Sequence, residues 1–104
     1  MATAGGRLVL VATLDVWSRA AGDFRRYEAA ATEIMQSHGG MIERVIAVEE
    51  PPGDGLFSEI HIVSFPDREA FDNYRKDERL AVWMEVRSRA IAKTVIVFGA
   101  NPSA

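Results

Sequence analysis

Apolar positions along the chain fall into six blocks, and their spacing switches between strand-like and helical periods. Leu8–Leu14 is a short apolar run of strand length. In Asp23–Ser37, the residues Phe24, Tyr27, Ala31, Ile34 and Met35, with His38 just beyond, form one helical stripe. Met41–Val48 and Leu56–Phe65 read as two further strands. Asp67–Ile91 is helical with a break, and Thr94–Phe98 is a last strand. The order β-α-β-β-α-β predicts an α+β, ferredoxin-like βαββαβ fold, with a four-stranded antiparallel sheet and two helices on one face. One domain is expected over residues 7–99, with loose tails at 1–6 and 100–104.

The punctuation agrees with these blocks. Asp23 follows Gly22 as an N-cap, and Gly39-Gly40 stops the first helix. Asp67, after Phe65-Pro66, caps the second helical stretch, and the polar run Arg75–Arg79 is where it would kink. Glu49–Gly55 is a Pro/Gly-rich loop that closes a long hairpin. It reads as a solvated acidic turn, with a lid over a cleft as the sharper alternative.

Leu8–Ala12 and Val95–Phe98 are apolar on both alternating sets. A sheet covered on one side only would alternate with polar residues. Two helices cover one face, so the other needs a second cover, and a homodimer packed sheet to sheet is the economical expectation. The broadly apolar stretch Leu80–Ile91 is a second candidate for subunit contact.

Composition changes the picture by exclusion. In 104 residues, 48% hydrophobic and 26% charged, there is material for one core. A net charge of −3 leaves no electrostatic footprint for nucleic acid or an anionic membrane. The absence of cysteine removes disulfides, thiol nucleophiles and Cys-based metal centres, and fits a reducing cytoplasm. No segment approaches the roughly 20 apolar residues of a transmembrane helix. The run after Arg7 is at the short limit of a signal h-region and lacks a cleavage site, so it reads as a strand.

The candidate chemistry centres on His61. Glu59 lies two residues away in the same strand, so both side chains leave one face, together with Phe57, Val63 and Phe65. A histidine in apolar company, held by a carboxylate, is an oriented base for proton transfer. The alternative is a polar pair at a dimer seam or sheet edge. Tyr27, Tyr74 and Trp83 bring aromatic bodies with polar tips, as core or as the wall of a pocket for a flat organic ligand. Arg44 and Arg87 are candidate substrate anchors, because a guanidinium offers a planar fork of donors. His38 closes a helix, where its interaction with the dipole explains it. With two histidines and no His-x-x-x-His spacing, no metal and no cofactor is expected. No serine nucleophile arrangement stands out, and Gly53-Asp54-Gly55 precedes a strand rather than a helix, so it is not a phosphate loop.

A tyrosine-bearing helix with Tyr27, the Gly39-Gly40 pair, a strand arginine at Arg44, Phe65-Pro66, the helix aromatics Phe71 and Tyr74, and Arg87 together resemble the dimeric α+β-barrel superfamily. The pattern is most similar to one of its small families of unknown function. More distantly it resembles the cofactor-independent monooxygenases of antibiotic biosynthesis and the muconolactone-isomerase-like proteins. The resemblance spans most of residues 7–99 and implies the ferredoxin-like fold and the dimer. Activity by such analogy is associational, since the superfamily hosts diverse chemistry. Three readings follow. One is a cofactor-independent enzyme that moves a proton on, or oxygenates, a small organic molecule, with His61 and Glu59 transferring the proton and Tyr27 and Arg87 orienting substrate. The others are a non-catalytic binder of a small ligand and a structural dimer.

Overall fold

The computed structural model describes residues 7–100. The elements are β1 (Leu8–Trp17), α1 (Ala21–Ser37), β2 (Met41–Ala47), β3 (Leu56–Phe65), α2 (Arg68–Arg75), α3 (Glu78–Ala81), α4 (Met84–Ala90) and β4 (Ile91–Gly99), with a 3-10 turn at Ser18–Ala20. The strands form one antiparallel sheet in the order β2-β3-β1-β4. This is the expected α+β ferredoxin-like arrangement. The expected tails at 1–6 and 100–104 lie outside the described residues, except for Ala100.

The second helical stretch breaks twice, into three short helices, where the sequence predicts one break. Asp77 adopts an extended conformation and its side chain accepts the Arg79 N–H, which caps α3 and ends the run from α2. A further break at Trp83 precedes α4. The break at Asp77 falls in the polar run where a kink is expected; the one at Trp83 lies among apolar residues, and periodicity does not register it. Asp67 caps α2 as expected, accepting the Ala70 N–H at 2.8 Å. The first helix begins at Ala21, so Asp23 sits in its first turn rather than at the cap. There its carboxylate still complements the N-terminal dipole.

α1 ends in a Schellman motif. Gly39 donates to Gln36 O and Gly40 to Met35 O, with Gly39 at φ 77°. Gly40 is also a close-packing site: a Cβ there would stand 2.5 Å from Met35 Cγ and 2.6 Å from the Phe65 ring. Gly40→Ala is therefore expected to cost about 1–3 kcal/mol by overpacking, read as a lower urea midpoint at unchanged slope.

Side chains facing the helices build two apolar clusters. One gathers Leu10, Met35, Phe65, Phe71 and Tyr74; the other gathers Leu14, Val16, Phe24, Ala90 and Ile91. Tyr27 packs against both. Between Leu10 and Leu14 the inward position of β1 is Ala12, flanked by His61 on β3 and Ile96 on β4. A small residue at the middle of the floor leaves room above it. On the other sheet face, Met41, Val11, Val95 and Val97 are exposed, Val97 at 61%. The loop 49–55 is exposed and lines no cavity described below.

Candidate active site

A cavity of about 630 Å³ opens over Ala12, between the sheet and the helices. Its wall is mostly apolar, including Leu10, Phe24, Met35, Val63, Phe65 and Phe71. Carboxylates and an imidazole gather at one side.

β3 delivers Glu59 and His61 to this inner face, as alternation required. His61 Nε2 lies 2.8 Å from Glu59 Oε1 and 3.2 Å from Glu28 Oε2. α1 contributes Glu28 and, one turn earlier, Arg25. One Arg25 nitrogen donates to Glu28 Oε1 and the other to Glu59 Oε2, both at 2.7 Å. Arg25 thus holds both carboxylates, and both carboxylates meet one imidazole nitrogen. Two acceptors at Nε2 assign the neutral ring's proton to that atom. Nδ1 then carries the lone pair and has no partner among the described residues. His61 lines the cavity.

The two carboxyls are pushed apart. Burial works against the charge of Glu59, only 5% exposed, but its hydrogen bonds from Arg25 and His61 outweigh burial and hold it below the usual range. Burial dominates at Glu28 and raises it, despite the Arg25 bond. With the folded value of Glu59 below its ordinary 4.5, its ionised form contributes stability above that pH and loses it as the pH falls. Glu28 acts oppositely, losing stability as the pH rises through its raised value. Glu59→Gln is thus expected to be less stable than the parent at pH 6 and to converge on it towards pH 3. Urea midpoints across that range test this, and parallel curves would contradict it.

Glu28, Glu59 and His61 present three ligand atoms within 4.8 Å of one another, and among the described residues these would hold a cation. Arg25, bonded to both carboxylates, supplies the countercharge in their place. The residues lie 31 and two positions apart, so no ligand spacing betrays them in the chain.

The remaining expected site residues divide. Tyr27 and Arg87 line the cavity, and Arg87 donates to Thr94 Oγ1 at 3.0 Å. Arg44 does not: it pairs opposite Ile62, on the outer sheet face, and is exposed. A shift in register at Ile42–Arg44 turns it there. Trp83 faces a separate shallow depression beside Ile34 and Arg79. The expected dipole role of His38 is supplemented by Asp77, whose Oδ2 is 2.7 Å from its Nε2. Sequence reasoning missed Arg25 and Glu28. Their three-residue spacing is the ordinary mark of a surface helix pair, and only the packing of α1 on β3 makes them part of the site.

The family described as a domain of unknown function, DUF1330, matches residues 8–100. None of the curated proteins compared matches the chain in sequence. Among solved structures, a protein of unknown function from Rhodopseudomonas palustris superposes with a TM-score of 0.76 at 14% identity, over 96% of this chain and 85% of that one. SnoaB, a cofactor-independent oxygenase from Streptomyces nogalater, gives 0.66 at 13%, over 95% and 96%. A Caulobacter crescentus protein provisionally described as an antibiotic biosynthesis monooxygenase gives 0.67 at 14%, over 95% and 92%. At these identities the likeness is one of fold.

Proposed function

The chain belongs to the DUF1330 family, and from that premise we propose that it is a cofactor-independent proton-transfer enzyme acting on a small organic molecule in the helix–sheet cavity. One observation carries this reading: a histidine held by a carboxylate through Nε2 lines a largely apolar cavity, and its Nδ1 has no partner among the described residues. Nδ1 takes a proton from an acidic C–H or O–H of the substrate, and the electron pair stays behind as an enolate or alkoxide. Glu59 keeps the ring oriented throughout. Protonation takes the formal charge of Arg25, Glu28, Glu59 and His61 from −1 to zero. The same proton returned to another atom completes an isomerisation. The fold shared with SnoaB keeps oxygenation in view, since a carbanion is what dioxygen would meet, but the residues here support the proton-transfer step.

The test needs no knowledge of the product. A panel of 1,3-dicarbonyl and aryl-ketone C–H acids is incubated in D2O with the full chain, and loss of the C–H signal is followed by proton NMR. Catalysed exchange on at least one member supports the reading. Exchange no faster than buffer across the panel, with ligand still bound, favours the non-catalytic binder.

A homodimer through the outer sheet face belongs to the same proposal. Val11, Val95, Val97 and Met41 are exposed there beside half-buried Ile60 and Ile62, a patch that suits burial against its own copy. The catalytic pair lies on the opposite face, so such an interface leaves it in place. Val97→Glu is expected to shift the protein from dimer to monomer in sedimentation, and a parent that sediments as a monomer would overturn the interface.

A further inference from the structure

We propose that the substrate of this site is an apolar organic carboxylate, held by the Arg87 guanidinium at the side of the cavity away from His61. The proposal rests on the reading of His61 as the base and adds the substrate class and its orientation.

Glu59, Leu14 and Thr94 lie in one row across β3, β1 and β4. Thr94 tethers Arg87, and Thr94 itself stands two strand spacings, ~10 Å, across the sheet from Glu59, the partner of the base. The two ends of the cavity are opposite in character. Arg25 is matched by two carboxylates. Arg87 has no carboxylate partner among the described residues and bonds only Thr94, leaving most of its five N–H donors unused. A part-buried guanidinium without a counterion is ready for an anion. Arg75, also at the wall and without a carboxylate partner among the described residues, stacks on Phe71 at 5.5 Å.

Tyr27 and Tyr74 add phenol hydroxyls to the cavity wall. Both line the cavity, and neither hydroxyl has a hydrogen-bond partner among the described residues. Burial raises Tyr74, the charge of Tyr27 adds to this, and Arg87 pulls the other way, as expected of groups facing a common space. The Tyr74 phenol therefore stays protonated as a donor. An anion entering the wrong way round would meet Glu28 and Glu59. One entering with its carboxylate at Arg87 meets a cation without a carboxylate partner among the described residues, in a space that Tyr74 also faces, and its apolar body spans the aromatic wall. The acidic hydrogen is then presented to Nδ1 at the far end.

The probes are 1-naphthylacetate and 1-naphthylacetamide, which share a shape and differ in charge. Isothermal titration calorimetry on the full chain is expected to show the acid binding roughly tenfold or more tighter than the amide. Arg87→Gln should abolish the preference while leaving amide affinity unchanged, and Arg87→Lys should retain part of it. Ala12→Leu, which fills the floor, should weaken both probes alike. Equal affinities in the parent, a preference that survives Arg87→Gln, or no binding of either probe would overturn the proposal. Exchange activity in D2O without acid preference sinks only the carboxylate. Acid preference without exchange supports the anion site and sinks the base.

Discussion

His61→Gln is expected to slow catalysed C–H exchange by roughly 10²–10⁴-fold, the usual span for loss of a positioned base, with little change in the fold. Glutamine keeps a donor near Glu59 and fills much of the same space, so the Arg25–Glu28–Glu59 network persists. The decisive comparison is with binding. Nδ1 acts on the transferred proton, not on the substrate's anchor, so the loss should fall on the rate at saturation while affinity for 1-naphthylacetate stays close to that of the parent. A matched loss of rate and affinity would make His61 a wall residue instead. An unchanged rate would remove it from the chemistry altogether.

Phe65→Ala is expected to have the largest effect on stability, about 3–5 kcal/mol. Phe65 is 1% exposed and sits where three elements meet. Its ring is 5.4 Å from both Phe71 and Tyr74 of α2, centroid to centroid, and its edge closes over Gly40 at the end of α1. Truncation removes the aromatic contacts and leaves a void that the rigid glycine turn cannot fill. For a domain of this size the thermal midpoint should fall by on the order of 15 °C. Phe65→Leu, keeping more of the apolar volume, should lose less. A loss in Phe65→Ala below about 1 kcal/mol would show that α2 collapses onto the gap. Because Phe65 also lines the cavity, Phe65→Ala should weaken both naphthyl probes, separating it from Arg87→Gln, which spares the amide.

Much of this protein is readable along the chain because its information is local. Strand alternation puts Glu59 and His61 on one face whatever they pack against. Gly39-Gly40 ends a helix because the left-handed conformation and the 2.5 Å approach admit no side chain. The order of strands and helices leaves few topologies to choose among. The break at Asp77 lies in the polar run Arg75–Arg79 and is legible there, whereas the break at Trp83 escapes such reasoning, since it falls inside an apolar stretch and leaves the average period unchanged. Arg44 shows the same limit on a strand, where one shift of register turned a candidate anchor to the opposite face.

The site itself lies beyond local information. Glu28 and Glu59 are 31 residues apart, and nothing in either neighbourhood says that Arg25 will clasp both. That pairing exists because α1 crosses β3 at one height, set by Phe24, Tyr27 and Met35 packing on the sheet. The room above Ala12 likewise comes from two core clusters failing to meet, a matter of volumes rather than of pattern. Periodicity reports which residues face inward; which inward residues touch, and where they leave space, depends on how whole surfaces fit together.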